Sequence, residues 1–139
     1  IPKECVKIHG ISKEKSSSQG IDINIALKKF IQDMKSVDLL VGHNISFDKR
    51  MIIVECIRNK IHGRFPREES KYYCTMKKGV DLCKIKAVNK ETQEKYFKYP
   101  KLEQLYYELY KTTPQGLHNS LVDVHACLSC FLEMHDRKL

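Results

Sequence analysis

The chain has 139 residues, the length of one domain, and 42% of them are hydrophobic, which is enough for a core. It has no run of about 18 apolar residues and no apolar leader segment, so neither a membrane span nor secretion is expected. The net charge of +8 suits an anionic partner such as nucleic acid, although a lysine-rich surface without such a partner is the alternative. We therefore expect a single domain, 1–139, in the cytoplasm, nucleoid or nucleus.

Six cysteines are spread along the chain, and nothing indicates the oxidising surroundings in which a disulfide framework forms. Cys127-x-x-Cys130, with His125 and His135 nearby, is compatible with zinc. There is no second Cys-x-x-Cys and no histidine pair at zinc-finger spacing. Packing of the thiols as small hydrophobic groups is therefore the preferred interpretation.

The first quarter of the chain predicts a loop and then a helix. Residues 8–11 lead into the Ser- and Gly-containing stretch 12–20, which is typical of a loop. Asp22 then predicts a helix N-cap. Apolar residues follow at helical spacing as far as Met34.

The next segment predicts a buried strand that passes into a helix. Residues 37–41 are short and apolar and end at Gly42, as in a strand buried on both faces. Ser46 is a suitable N-cap for a helix reaching about Lys60. Because that helix is apolar on more than one side, we expect it to be sandwiched between neighbours. Residues 63–70 are polar and predict a loop.

The second half begins with a short strand at 72–74 and a helical turn opened by Thr75. Residues 84–101 form a basic insert with aromatic residues, and 102–109 predict a short amphipathic helix that 112–116 terminate. A last helix follows, with an apolar stripe formed by Leu121, Val124, Leu128, Phe131 and Leu132. Helices alternating with a buried strand predict the α/β class.

Two carboxylates stand near predicted helix starts. Asp48 follows the apolar strand and Gly42, and Asp123 lies about one turn inside the last helix, whose N-cap is Asn119. His118 precedes this helix, so its side chain is able to fold back over the first turn. Each residue alone has an ordinary explanation as a cap or a surface side chain. In combination, carboxylates brought together repel unless cations join them, and oxygen ligands suit Mg²⁺ or Mn²⁺.

Three sequence blocks occur in a characteristic order: IHGI at 8–11, VGHNISFD at 41–48 and HNSLVD at 118–123, with FKYPKLEQLY at 97–106 before the last. The chain resembles, over nearly its whole length, the DEDDh 3′–5′ exonucleases, the family of the bacterial replicative proofreading subunit. The resemblance implies a ribonuclease H-like α/β fold.

By this resemblance, Asp48 corresponds to the second acidic motif and is a metal ligand, as is Asp123 of the third motif. His118 corresponds to the catalytic histidine that defines the h subtype. The residues implied to contact substrate are Glu4, His9, Gly10, Ile11, Asn44 and Phe47.

One motif of the family has no counterpart in this sequence. The Asp-x-Glu of the first strand belongs upstream of IHGI, and no Asp-x-Glu occurs in the chain that could replace it. We therefore expect a fragment that lacks the first strands of the sheet, holds two of four metal-binding carboxylates and is inactive alone. Its helices would still form, with apolar faces partly exposed.

For the complete enzyme, the resemblance implies two Mg²⁺ (or Mn²⁺) ions about 3.5–4 Å apart at the terminal phosphodiester. His118 would accept a proton from the attacking water, and 5′-mononucleotides would leave the 3′ end of DNA or RNA. The expected partner is single-stranded or 3′-ended nucleic acid, with a DNA polymerase as a further candidate and no membrane. The basic insert would follow the nucleic-acid backbone. The alternative is a non-catalytic nucleic-acid-binding or partner-docking module on the same fold.

Overall fold

The computed structural model describes residues 1–63, 65–66 and 68–138. Within these residues the helices are α1 (Lys3–His9), α2 (Lys13–Gln19), α3 (Ile23–Met34), α4 (Ile45–Arg58), α5 (Thr75–Lys78), α6 (Val80–Cys83), α7 (Leu102–Tyr110) and α8 (Ser120–Asp136). The strands are β1 (Leu40–Gly42), β2 (Tyr72–Cys74), β3 (Lys86–Val88) and β4 (Lys95–Phe97), and Glu69–Lys71 forms a 3₁₀ turn. The chain is therefore of the mixed α/β class, as its sequence predicts.

The strands form two separate pairs. β1 and β2 are parallel, and their register places Leu40 beside Tyr72 and Gly42 beside Cys74. Because parallel strands end at the same edge, the residues that follow β1 and β2 meet there. β3 and β4 are antiparallel and form a hairpin within the basic insert.

Apolar packing occurs in two clusters. The first joins α7 to α8 through the fully buried Leu105, Cys130 and Met134, together with Leu109. The second joins α3 to α4 through Leu27, Ile31 and Cys56. Burial of each large apolar side chain stabilises the fold by about 1.5–3 kcal/mol, so these clusters fix the helices that carry the site.

Polar contacts add to the joint between α7 and α8. The Tyr110 hydroxyl donates to the Ser129 carbonyl at 2.9 Å. The Arg137 guanidinium donates to the Leu109 carbonyl at 3.0 Å and pairs with Glu133 of its own helix at 2.7 Å. The C-terminal end of α8 is thereby held against the end of α7.

Several predicted boundaries are wrong. Residues 12–20 are not simply a loop, because the Ser12 hydroxyl accepts the Lys15 amide at 3.1 Å and caps α2. The strand predicted at 37–41 begins only at Leu40, since residues 35–36 form a turn after α3 and 37–39 are irregular. Helix α4 begins at Ile45, so Asn44 and not Ser46 is its N-cap. In the loop predicted at 63–70, Arg64 and Arg67 lie outside the described residues.

The predicted burial of two helices is also wrong. Helix α4 contacts both α3 and the first strand pair, but it is covered much less than predicted, since Cys56 is its one buried residue and Ile57 is 71% exposed. On α8, the apolar stripe is largely outward, with Leu121 64% exposed. The face that packs inward carries smaller or more flexible residues, namely Ala126, Cys127, Cys130 and Met134. The expectation that helical apolar faces are partly exposed is thus confirmed. No helix in the described part of the chain is long and apolar enough to cross a membrane.

Candidate active site

An open pocket of about 730 Å³ lies where the first strand pair meets α4 and α8. Asp48 and Asp123 both line it, although 75 positions separate them in the sequence (123 minus 48). Its walls are largely apolar and come from β1, α3, α4 and α8, including Val41, Ile52 and Val124. The structure therefore brings together the two carboxylates that the sequence singles out.

Asp48 reaches the pocket because of how β1 passes into α4. Asn44 adopts a left-handed conformation with φ of 71°, which turns the chain sharply and starts the helix at Ile45. This places Asp48 within the first turn, where the positive end of the helix dipole favours a carboxylate. Desolvation at the pocket nevertheless raises the pKa of Asp48, even though the residue as a whole is exposed. Such a carboxyl group gains from a cation that holds it ionised.

Asp123 is fixed by the backbone in front of α8. Its Oδ1 atom accepts the backbone N–H of His118 at 3.1 Å. His118 has a φ of 76°, a left-handed conformation in which the chain folds back toward the helix. Asn119 caps α8, its side chain accepting the Leu121 amide at 3.1 Å. The pairing of His118 with Asp123 is thus real, but the contact uses the histidine's backbone.

The imidazole of His118 is exposed and does not line the pocket. His118 precedes the N-cap of α8, in agreement with its predicted place outside the helix. Its catalytic role remains a prediction.

His43 is a residue of the site that the sequence analysis did not assign. Its Nε2 lies 2.9 Å from the Pro100 carbonyl, which only accepts, so Nε2 carries the proton. Its Nδ1 therefore accepts from the Thr75 hydroxyl at 3.0 Å. Thr75 is completely buried, and burial lowers the pKa of His43. His43 is consequently a neutral crosslink that ties the end of β1 to the start of α5 and to the segment before α7.

Lys49 is a second unassigned residue of the pocket. Its ammonium group lies 4.1 Å from the centroid of the Tyr72 ring and 3.4 Å from the Pro66 carbonyl. This cation–π contact holds a positive charge at the pocket that Asp48 and Asp123 also line. The position of Lys49 next to Asp48 in the sequence could have indicated that it belongs to the site. Its contact with Tyr72 could not be predicted, because it depends on the register of β1 and β2.

The residues predicted to contact substrate are not gathered at the pocket. Glu4 and His9 belong to α1, Gly10 caps its end, and Ile11 is exposed; none of these lines the pocket. The Nδ1 of His9 instead accepts the Ile11 amide at 3.0 Å.

Asn44 and Phe47 flank the pocket without lining it. Asn44 forms the turn into α4, and Phe47 is 49% exposed on the helix's first turn. Their substrate contacts stay predictions.

Asp48 and Asp123 supply part of the ligand set that a divalent ion needs. Two carboxylates in one pocket are suitable oxygen ligands for Mg²⁺ or Mn²⁺. Among residues 1–63, 65–66 and 68–138, however, no group of three or more His, Cys, Asp or Glu residues is close enough to hold a metal. Asp48 and Asp123 thus fit as part of a coordination shell.

Cys127 and Cys130, the pair whose spacing is compatible with zinc, are buried. Cys130 is fully buried in the α7–α8 cluster, and burial raises its pKa to about 12. Burial also raises the pKa of Cys127, whose Sγ lies 3.6 Å from the Thr75 hydroxyl. All six cysteines are free thiols. The pair acts in core packing.

Comparison with known families identifies the class of protein. The family model described as Exonuclease, of the RNase T type, matches residues 1–131. No curated protein matches the chain. The chain belongs to this exonuclease family, which confirms its resemblance to exonucleases, its ribonuclease H-like α/β fold and a nuclease function in the broad sense. Enzymes of this family generally use divalent metal ions.

Proposed function

We propose that this protein is a metal-dependent 3′–5′ exonuclease of the DEDDh type, which removes 5′-mononucleotides from the end of DNA or RNA. The observation that carries the proposal is the meeting of Asp48 and Asp123 in one pocket. Their positions in the sequence are those of the second and third acidic motifs in the resembling family. Lys49 adds a positive charge at the same pocket, where a phosphate would lie.

Each residue of the site has a task in this proposal. Asp48 and Asp123 would hold Mg²⁺ or Mn²⁺, two ions in a complete site. When bound, such ions stabilise the negative charge on the attacking and leaving oxygens. His118 would take the proton of the attacking water, for which an imidazole is suited near neutral pH. The hydrogen bond from its backbone to Asp123 keeps this histidine close to the carboxylate.

The described residues also support a limit on this activity. Two carboxylates supply too few ligands for two ions, since Mg²⁺ demands nearly octahedral oxygen coordination. We expect further carboxylates from an Asp-x-Glu motif upstream, as in the resembling family. Residues 1–139 alone should then be inactive, and a chain extended upstream through this motif should be active. Stepwise shortening of a strand by residues 1–139 alone would contradict this limit.

The test uses a single strand labelled at its 5′ end, with a free 3′ end, and the upstream-extended protein in Mg²⁺. We expect a ladder that shortens by one nucleotide at a time and stops when the metal is chelated. Asp123→Asn should lower the rate by about 100-fold or more, because it removes charge stabilisation worth several kcal/mol. Asp81→Asn, a change of an exposed carboxylate in the first turn of α6, is the matched control. An Asp123→Asn rate equal to that of the control would refute the assignment.

A second candidate function is a binding or docking module without catalysis. It is favoured by the lack of a group of three potential metal ligands among the residues that the structure describes. In that case the extended protein would bind a strand without shortening it, and Asp123→Asn would leave binding unchanged.

A further inference from the structure

The basic insert at residues 84–101, which contains the β3–β4 hairpin, concentrates the positive charge of the molecule. Residues 84–101 contain six lysines and two glutamates, a net charge of +4, which is half of the chain's +8 in 18 of its 139 residues. All six lysines are exposed. Both glutamates, Glu91 and Glu94, lie in the connecting turn, so the strands themselves present only positive charge.

One face of the hairpin alternates lysine with apolar side chains. Residues opposite each other on paired strands point to the same face. Lys86 is opposite Phe97 and Val88 is opposite Lys95, so the two lysines and the two apolar groups form diagonals. Phe97 is 45% exposed and Val88 50% exposed. On the other face, Tyr96 is also half exposed.

The hairpin is held by strand pairing and by hydrogen bonds in its turn, whereas its aromatic side chains are exposed. In its turn, the Asn89 side chain accepts the amides of Glu91 at 2.9 Å and Thr92 at 3.3 Å. The extensive contacts of the two strands are with each other. A two-stranded sheet with no core of its own is only marginally stable in water, so a partner that covers Phe97 would stabilise it.

The base of the hairpin leads directly to the candidate active site. Lys98 continues the strand pairing, donating its amide to the Ile85 carbonyl at 2.9 Å. Two residues later, the buried Pro100 gives its carbonyl to Nε2 of His43 at 2.9 Å. His43 and Leu102 both line the pocket of Asp48 and Asp123. A nucleic-acid strand bound to the hairpin would therefore lie next to the pocket, because a short continuous segment of the protein chain connects the two.

We infer that the β3–β4 hairpin is a binding surface for single-stranded nucleic acid, with phosphates on Lys86 and Lys95 and a base stacked on Phe97. Charge complementarity selects a polyanion. The exposed aromatic ring selects one whose base faces are accessible, which a duplex does not offer. The inference deepens the proposed function and rests on it for the direction of the nucleic-acid strand. In the proposed function, the pocket receives the 3′ end of that strand.

The test measures binding of the full chain to a labelled oligothymidylate of about 15 nucleotides, a length within the usual site size. Chelator is present, so that hydrolysis plays no part. Lys86→Gln with Lys95→Gln should flatten the slope of log affinity against log salt by about 1.4, which is roughly 0.7 for each lost contact to a single strand. The matched control is Lys28→Gln with Lys35→Gln, two exposed lysines of α3 and its C-cap. Equal flattening by both pairs would overturn the inference, because net charge alone would then explain binding.

Stacking is tested separately at Phe97. Phe97→Leu keeps an apolar side chain but removes the ring, and should weaken binding by about fivefold or more. Phe97→Tyr keeps the ring and should bind like the original chain. Tyr107→Leu, at a similarly exposed ring on α7, is the control. Equal affinity of the two Phe97 variants would overturn stacking and with it the inferred surface.

Competitors identify the occupant and separate this inference from the proposed function. Unlabelled single strand should compete much better than duplex or polyglutamate of equal charge. Competition by polyglutamate as good as by single strand would overturn the inference in favour of an acidic protein partner. Binding without hydrolysis by the upstream-extended protein would contradict only the proposed function. Hydrolysis unaffected by the hairpin variants, with no measurable binding, would contradict only this inference.

Discussion

Replacing His43 with leucine should destabilise the protein strongly. The change removes the only hydrogen-bond donor to the Pro100 carbonyl among the described residues, and Pro100 is fully buried. Leaving such a group unpaired costs about 1–3 kcal/mol. Thr75 loses its 3.0 Å acceptor and keeps a longer contact of 3.4 Å to the Gly42 carbonyl, a further loss of about 1 kcal/mol.

The sum is a loss of about 2–4 kcal/mol, a large part of the 5–15 kcal/mol typical of a domain. Urea denaturation followed by far-UV circular dichroism measures it. His125→Leu, at an exposed histidine of α8, should stay within about 0.5 kcal/mol. A double-mutant cycle with Thr75→Val should give a coupling of about 0.5–3 kcal/mol. A cost of His43→Leu no larger than that of His125→Leu, or a cycle without coupling, would contradict the crosslink.

The same variant predicts a change in pH dependence. Burial lowers the pKa of His43 below its ordinary value of 6.5, so the unfolded chain binds a proton there more readily than the folded chain. The stability that this histidine contributes is present above about pH 6.5 and is lost as the pH falls toward its lowered pKa. The urea midpoint should therefore decrease as the pH is lowered from 7.5 to 5.5, and His43→Leu should make this decrease smaller. An unchanged slope would contradict the neutral crosslink.

Three further predictions concern separate parts of the fold. Asp123→Asn should leave the free energy of unfolding nearly unchanged, because an amide oxygen still accepts the His118 amide, whereas Asp123→Ala should cost about 0.5–1.5 kcal/mol in urea denaturation. Leu105→Ala should cost about 2–5 kcal/mol by the same assay, since Leu105 is completely buried, and a cost below 1 kcal/mol would contradict the described cluster. Lys49→Met should raise KM for the strand several-fold with little change in kcat, as expected for loss of a phosphate contact, and an unchanged KM would place this lysine outside substrate binding.

The carboxylates of the site could be predicted from sequence because their signals are local. Asp48 and Asp123 each stand in the first turn of a helix, and a strand end or a cap within a few residues marks both helices. The same local logic predicted α3, with Asp22 as its cap. The family resemblance supplied their order along the chain.

The crosslink and the burial pattern could not be predicted in this way. The partners of His43 lie 32 and 57 residues away, and no spacing within one element reveals them. On α8, hydrophobicity favoured the leucine stripe, whereas shape decided which face packs. Cys130 and Met134 pack against Leu105 and Leu109 of α7, and Leu121 and Leu128 are left exposed.

The groups that bond to His43 and Thr75 beside the pocket lie far apart in the sequence, and this affects the order of folding. Nε2 of His43 bonds to a residue 57 positions away, and the Thr75 hydroxyl contacts a thiol 52 positions away. Closing such long loops costs entropy before any contact is gained, so these bonds form late. Helices such as α8 depend on contacts four residues apart and form early. During refolding, helical signal should therefore return before these long-range bonds beside the pocket are made.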